Sequence, residues 1–277
     1  MSKPIFGKQA EIGARKVHFL QIGEGKTTVV LLHGFASLAQ EVAAPFLAQD
    51  DVKFLAFDRP GYGYSDPISG DRKSGPASQA RWLADVLDAF GERKCILVAH
   101  SMGSAVALWL AARRPDLVSR LLLLAPFCRP TRRLGAALLY AAVQPGIGPL
   151  ISEHLVPMFA HRMGPTFLRS ALFPDPVPKH LENFPFAYAG RPGALRTMAR
   201  EYLGFQSEMI EFDRGPALRS RISIVFGTED RIAVPDWHLE WIGSLKASVD
   251  VTMIDGVGHA PHHARAEAVH AALQALM

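Results

Sequence analysis

The sequence predicts an α/β domain: a mainly parallel central sheet of about eight strands, flanked by helices and interrupted once by an inserted helical segment. Short, near-continuous apolar runs alternate along the chain with helical patterns, as expected of strands buried on both faces. The alternation stops at Pro126 and resumes near residue 216. The stretch between is rich in Pro, Gly, Phe, Met and Arg, has no strand-like run and is too long for a plain loop.

Taken in order, VHFLQI (17–22) and TVVLLHG (28–34) read as an opening pair of strands, and VKFLAFD (52–58) follows. A helix over 79–90 places Trp82, Leu83, Val86, Leu87 and Phe90 on one face. CILVA (95–99), RLLLLA (120–125), ISIVFG (222–227) and VDVTMID (249–255) complete the series. A core domain is therefore expected from residues 1–125 and 216–277, with a helical cap or lid at 126–215.

Of the 277 residues, 49% are apolar, enough for a sizeable core, and the formal charge is only +4. No run of like charges marks a nucleic-acid tail. Between Pro126 and Phe205 the chain carries 9 Lys or Arg against 4 Asp or Glu, so the positive excess sits in the inserted segment. Arg129, Arg132 and Arg133 open that segment; a solvated surface is their default role, and weak contact with anionic lipid or a preference for anionic substrates is the sharper expectation. Cys95 and Cys128 have neither metal nor redox spacing, and Cys95 reads as a small buried hydrophobe. The N-terminus lacks the apolar core of a signal peptide, and the longest uncharged run, 134–152, is broken by Pro145-Gly146-Ile147-Gly148-Pro149. A cytoplasmic protein with no integral membrane segment is expected, with no cofactor and no metal; the oligomeric state is not legible.

The segment ILVAHSMGSAVALWL (96–110) reads as strand, sharp turn and helix. Its turn, A-H-S-M-G, differs in one letter from the serine-nucleophile pattern G-x-S-x-G, in which strain holds the hydroxyl clear of the sheet. The positions two before and two after the serine must be small; Gly103 complies, and Ala99 adds one methyl at an expected cost of about 1 kcal/mol.

Five stretches in order carry a family resemblance: LLHGF (31–35), FDRPGYGYSD (57–66), VAHSMG (98–103), FGTEDRIAVP (226–235) and GVGHAPHH (256–263). The chain resembles the α/β-hydrolases, specifically the lid-bearing esterase and lipase-like serine hydrolases, from about Val17 to its C-terminus, with the lid as the poorly matched part. The resemblance implies Ser101 as nucleophile, His259 as base and Asp230 as the carboxylate that orients it, each following a strand. His262 and His263 are rivals to His259, and Glu229 and Asp236 to Asp230. His100 is expected to support the turn, and Asp58 to be structural, with Arg59 or backbone amides as partners. The resemblance further implies the backbone N–H groups of Phe35 and Met102 as oxyanion donors. Phe35, Phe127, Leu138, Met158, Phe159 and Ile232 are the expected lining of an apolar substrate pocket.

The expected reaction is hydrolysis of a carboxylic ester, thioester or lactone of a small, largely apolar molecule through an acyl-enzyme on Ser101. The same residues equally serve a carbon–carbon hydrolase or a cofactor-free perhydrolase, and a non-catalytic small-molecule receptor or accessory protein is the reading from another class. With His259 as base, activity falls on the acid side as an ordinary histidine gains its proton; a flat rate profile from about pH 5 to about 8 excludes that role.

Overall fold

The protein is seen in a computed structural model that describes residues 7–46, 51–68, 74–131, 140–141, 144, 146–151, 156–213, 218–245 and 247–277. Its centre is a sheet of 8 strands: β1 (Lys8–Ile12), β2 (Arg15–Ile22), β3 (Thr27–Leu32), β4 (Val52–Phe57), β5 (Cys95–His100), β6 (Val118–Leu124), β7 (Arg221–Gly227) and β8 (Val249–Ile254). The spatial order is β1-β2-β4-β3-β5-β6-β7-β8. From β4 to β8 neighbouring strands run parallel, while β2 joins both β1 and β4 antiparallel.

The apolar runs become strands because both faces of the sheet are covered. On one face lie α2 (Pro76–Ala89) and α3 (Gly103–Arg113), with Trp82, Leu83, Val86, Leu87 and Trp109 in a continuous core. On the other lie α1 (Ala39–Ala43) and, near the C-terminus, a helix over Ala266–Gln274, contributing Val42, Val269 and Leu273. Every residue of β5 is buried, which explains its uninterrupted apolar character. Helix α2 begins at Pro76, where the missing N–H costs nothing, and Phe90 packs on the core from just past its end.

Three expectations need correction. β1 escapes a search for apolar runs because KQAEI is mostly exposed and polar. The opening strands are not paired with each other: β3 inserts between β4 and β5, and β2 pairs with β1 and β4 instead. β8 is not buried on both faces; as the edge strand it leaves Val251 and Met253 exposed.

Between β6 and β7 the described residues form helices and turns without strands. The longer helices are α4 (Val156–Leu172) and α5 (Pro192–Asp213). The first half of α5 packs Ala194 and Met198 against Tyr62 and Phe35. Its second half sends Phe205, Met209 and Phe212 into the main core, with ring contacts of Phe205 to Phe127 at 5.3 Å and Phe212 to Trp109 at 5.0 Å. No helix among the described residues is long and apolar enough to cross a membrane. The thiols of Cys95 and Cys128 are both free and buried, and burial pushes Cys95 up to about 12.

Because Phe205 has no exposed surface, Phe205→Ala leaves a cavity and is expected to cost about 3–5 kcal/mol in urea unfolding. Phe167→Ala, at a side chain that is 54% exposed, is expected to change stability by no more than about 0.5 kcal/mol.

Candidate active site

Ser101 stands between β5 and α3 with φ of 52°, a left-handed conformation that non-glycine residues rarely adopt. The turn is held at its backbone: the Ser101 N–H donates to the Leu124 carbonyl at 2.9 Å, and its own carbonyl accepts from Phe127 N–H at 3.1 Å. A Cβ on Gly103 would lie 2.8 Å from the His33 carbonyl oxygen and 2.9 Å from that of Leu32. The glycine is therefore required by the end of β3, which α3 must pass, and its three nearest atoms belong to Leu32 and His33 rather than to Ala99. Ala99 keeps regular register between Leu32 and Leu123, so its methyl is simply part of the core.

Two loops at the C-terminal ends of β7 and β8 bring their side chains to the serine. His259 Nε2 lies 2.9 Å from Ser101 Oγ, and His259 Nδ1 lies 2.8 Å from Asp230 Oδ2. The other carboxylate oxygen of Asp230 accepts the N–H groups of Ile232 at 2.8 Å and Ala233 at 2.9 Å, which fixes the plane of the carboxylate. All three side chains are buried. The chain of contacts lets Nδ1–H point to the carboxylate and leaves Nε2 as an acceptor for the serine hydroxyl.

The rivals lie elsewhere. His262 and His263 both donate to Glu41, at 3.0 and 2.7 Å. Glu229 sits 3.9 Å from Arg231, and Asp236 lies in the first turn of α6 (Pro235–Ser244). His100 binds the base loop: its Nε2–H donates to the His259 carbonyl at 2.9 Å. Asp58 binds the backbone amides of Ala39 and Tyr64, but its side-chain partner is His18 at 2.6 Å rather than Arg59.

Sequence reasoning also missed two buried polar assemblies. Arg59 reaches Glu201, Gln79 at 2.9 Å and the Gly34 carbonyl at 2.8 Å, all within the interior. Burial alone would lower its pKa, but the Glu201 carboxylate together with Tyr62 raises it. The second assembly gathers His100, His262 and His263 around Glu41, whose other oxygen accepts from Ser37 at 2.7 Å. Burial would push the Glu41 carboxyl up, yet the hydrogen bonds from His262 and His263 prevail and hold it well below the usual range. Glu41, His100 and His262 are near enough to offer a cation three ligand atoms, though Glu41 is already satisfied by hydrogen bonds. Neither assembly has a local sequence signal, since Arg59 and Glu201 are 142 residues apart and Glu41 and His262 are 221 apart.

Of the expected pocket residues, Phe35 packs on Tyr62, Ala194 and Met198, and Phe127 is buried between Phe205 and His238. The half-buried Ile232 stands beside Asp230. Leu138 and the side chains of Met158 and Phe159 lie outside the described residues, as do Arg132 and Arg133. Arg129 is committed to Glu240 at 2.7 Å and stacks 3.6 Å from the Trp237 ring centre, so its charge faces a protein partner.

His33 is held neutral by its setting. Nδ1–H donates to the Gly34 carbonyl at 2.8 Å, Nε2 accepts the Arg59 N–H at 3.0 Å, and burial followed by the Arg59 charge lowers its pKa to about 3. Burial, then His263, lowers His262 to about 4; burial, then His262 and His259, takes His100 well below the ordinary value. Each depressed histidine leaves folding undisturbed above the unfolded value of 6.5 and costs stability as the pH falls below it, because only the unfolded chain then gains the proton. Stability is expected to drop between pH 6.5 and about 4 by about 1.4 kcal/mol per pH unit for each such histidine, read as Tm in salt-matched buffers. Gly103→Ala is expected to lower Tm and to reduce turnover at least about tenfold, whereas Ala99→Gly should keep turnover within about threefold.

Comparison with known proteins places this geometry in context. Over 118 residues the chain is 36% identical to a 2-hydroxy-6-oxononadienedioate/2-hydroxy-6-oxononatrienedioate hydrolase of Paraburkholderia phymatum, covering 39% of each chain. The first such relatives are thus matched over less than half their length. A second enzyme of that name from Pseudomonas putida is 27% identical over 265 residues, 88% of this chain and 85% of the other. The enol-lactonase of Burkholderia xenovorans superposes with a TM-score of 0.76 at 16% identity, covering 97% of this chain and 99% of that one. A model of the alpha/beta hydrolase family matches residues 29–272, from within β3 into the C-terminal helix, and the chain belongs to that family.

Proposed function

We propose that the protein is a serine hydrolase that attacks an activated carbonyl carbon with Ser101 and releases a carboxylic acid. The observation that carries this reading is the continuous hydrogen-bond chain from Asp230 through His259 to Ser101, at a strained turn. His259 Nε2 takes the hydroxyl proton as Oγ bonds to the carbonyl carbon, and Asp230 stabilises the resulting imidazolium. The leaving group departs with that proton, and water, deprotonated by the same nitrogen, frees the acid from Oγ. The amides of Phe35 and Met102 are the proposed donors to the oxyanion. Neither donates to an acceptor among the described residues. Residues 126–215 serve in this reading as the cap over the site, with Phe35 and Ile232 among the pocket walls.

The substrate in the leading reading is a small, largely apolar ester, thioester or lactone, and likeness to an enol-lactonase supports it. A second reading is favoured by the relatives. A dienedioate bearing only a hydroxyl and an oxo group contains no ester, so its hydrolysis breaks a carbon–carbon bond. There the protonated histidine would deliver its proton to carbon instead of oxygen.

The test is covalent. A fluorophosphonate should add once to the wild type, by intact mass, and not to Ser101→Ala; no adduct on a folded wild type defeats the proposal. Release of p-nitrophenol from short esters against bleaching of a conjugated oxo-dienoate then separates the two readings. Asp230→Asn is expected to lower kcat by about 10³–10⁴. With Oδ1 still held by the Ile232 and Ala233 amides, the new NH₂ faces His259 Nδ1 and forces the proton onto Nε2. Near-normal kcat in that variant removes Asp230 from the mechanism.

A further inference from the structure

The Gly34–Phe35 peptide joins the end of β3 to the site. Its carbonyl accepts two hydrogen bonds, from Arg59 Nη2 and from His33 Nδ1, both at 2.8 Å. The peptide lies against the nucleophile, since a Cβ on Gly34 would stand 3.1 Å from Ser101 Cβ. In a trans peptide the C=O and N–H are coplanar and point in opposite directions. Pinning the oxygen therefore aims the Phe35 N–H, and a cationic donor on the oxygen polarises the unit so that its N–H becomes a stronger donor.

We infer that Arg59 is a positioning residue for the oxyanion donor, acting through the 34–35 peptide, and that Glu201 on the inserted helix α5 makes this possible. The inference rests on the hydrolase reading above. Arg59 holds the peptide from two sides of one residue: its guanidinium takes the Gly34 oxygen, and its backbone N–H takes His33 Nε2 at 3.0 Å. That second bond requires neutral His33 and sets its tautomer, leaving Nδ1–H for the same Gly34 oxygen. The guanidinium has no exposed surface, so it needs an internal counter-ion, and Glu201, 1% exposed, is that partner. Glu201 is oriented in turn by the Tyr62 hydroxyl, and Gln79 accepts from the same Arg59 nitrogen. A helix from the segment between β6 and β7 thus sets, through a single side chain, the direction of a backbone N–H beside Ser101.

A structural ion pair alone would make the same contacts matter for stability but not for turnover. Two variants separate these roles. Arg59→Met combined with Glu201→Gln replaces the pair by neutral groups of similar shape, an exchange that folded proteins generally tolerate. Arg59→Lys keeps the charge beside Glu201 but loses the planar fork that spans Glu201, Gln79 and Gly34. Both are expected to remain folded by circular dichroism and to lose about 10- to 100-fold in kcat, with KM within about threefold and the acid limb of the rate profile unmoved. Affinity for an alkyl boronic acid, whose tetrahedral adduct bears the oxyanion, should fall by the same factor. Wild-type kcat in either folded variant overturns the inference, as does a loss shared equally by KM and accompanied by a shifted acid limb. A wild type that resists the fluorophosphonate sinks the hydrolase reading and this inference together; one that labels no faster than the variants sinks the inference alone.

Discussion

A guanidinium with no access to water must find charge balance and hydrogen-bond acceptors inside the protein, and that demand organises much of this molecule even though the Arg59 Nε itself has no acceptor among the described residues. Arg59 follows β4 and draws toward itself the end of β3 through Gly34, helix α2 through Gln79 and helix α5 through Glu201. Three separate parts of the chain therefore have one arrangement that leaves no charge stranded. Burying an ion pair is a poor way to gain stability, but it is an effective way to exclude alternatives, because any displacement of α5 leaves two unpaired charges in an apolar interior. The apolar contacts of Ala194 and Met198 with Tyr62 and Phe35 reinforce the same docking without being able to specify it so narrowly.

A second buried assembly works by the opposite logic. Around Glu41 the imidazoles of His100, His262 and His263 stack at ring distances of 4.5 and 4.2 Å, and the carboxylate supplies acceptors for two of them. The value of His100 and His262 to the fold depends on their staying uncharged, as their burial requires. His100 extends this assembly to the base loop by binding the His259 carbonyl. The orientation of His259 is thus set twice: at its ring by Asp230 and at its backbone by a neighbour of the nucleophile.

Ser101, Asp230 and His259 are identified by the family resemblance of their motifs; the strand pattern alone says that each follows a run that becomes a parallel strand, whose ends meet at one edge, and leaves Glu229, Asp236, His262 and His263 as rivals. The central strands were legible because burial on both faces removes polar residues from them. Where burial is partial the pattern fades, and so β1 escapes and the exposure of β8 is not foreseen. The need for a small residue at 103 was legible from the turn pattern, but the source of the crowding was not, because it is the end of β3, a strand distant in sequence. Arg59–Glu201 and the cluster at Glu41 were invisible for a more basic reason. Long-range polar pairs leave no periodicity, and a buried arginine reads like an exposed one until its surroundings are known.

The edge position of β8 has a consequence for how such a site fails. Ser101 follows β5, which is flanked by β3 and β6, whereas His259 follows β8, which has only β7 beside it and exposes Val251 and Met253. Local opening begins at such margins, so nucleophile and base belong to regions of unequal protection from hydrogen exchange. What secures the base is not chiefly the sheet. It is the His259 N–H donated to the Ala171 carbonyl at the end of α4, together with the grip of His100 on the carbonyl of the same residue. Warming that loosens these two contacts would part base from nucleophile while the central strands stayed paired, so function would be lost below the temperature at which the fold itself melts.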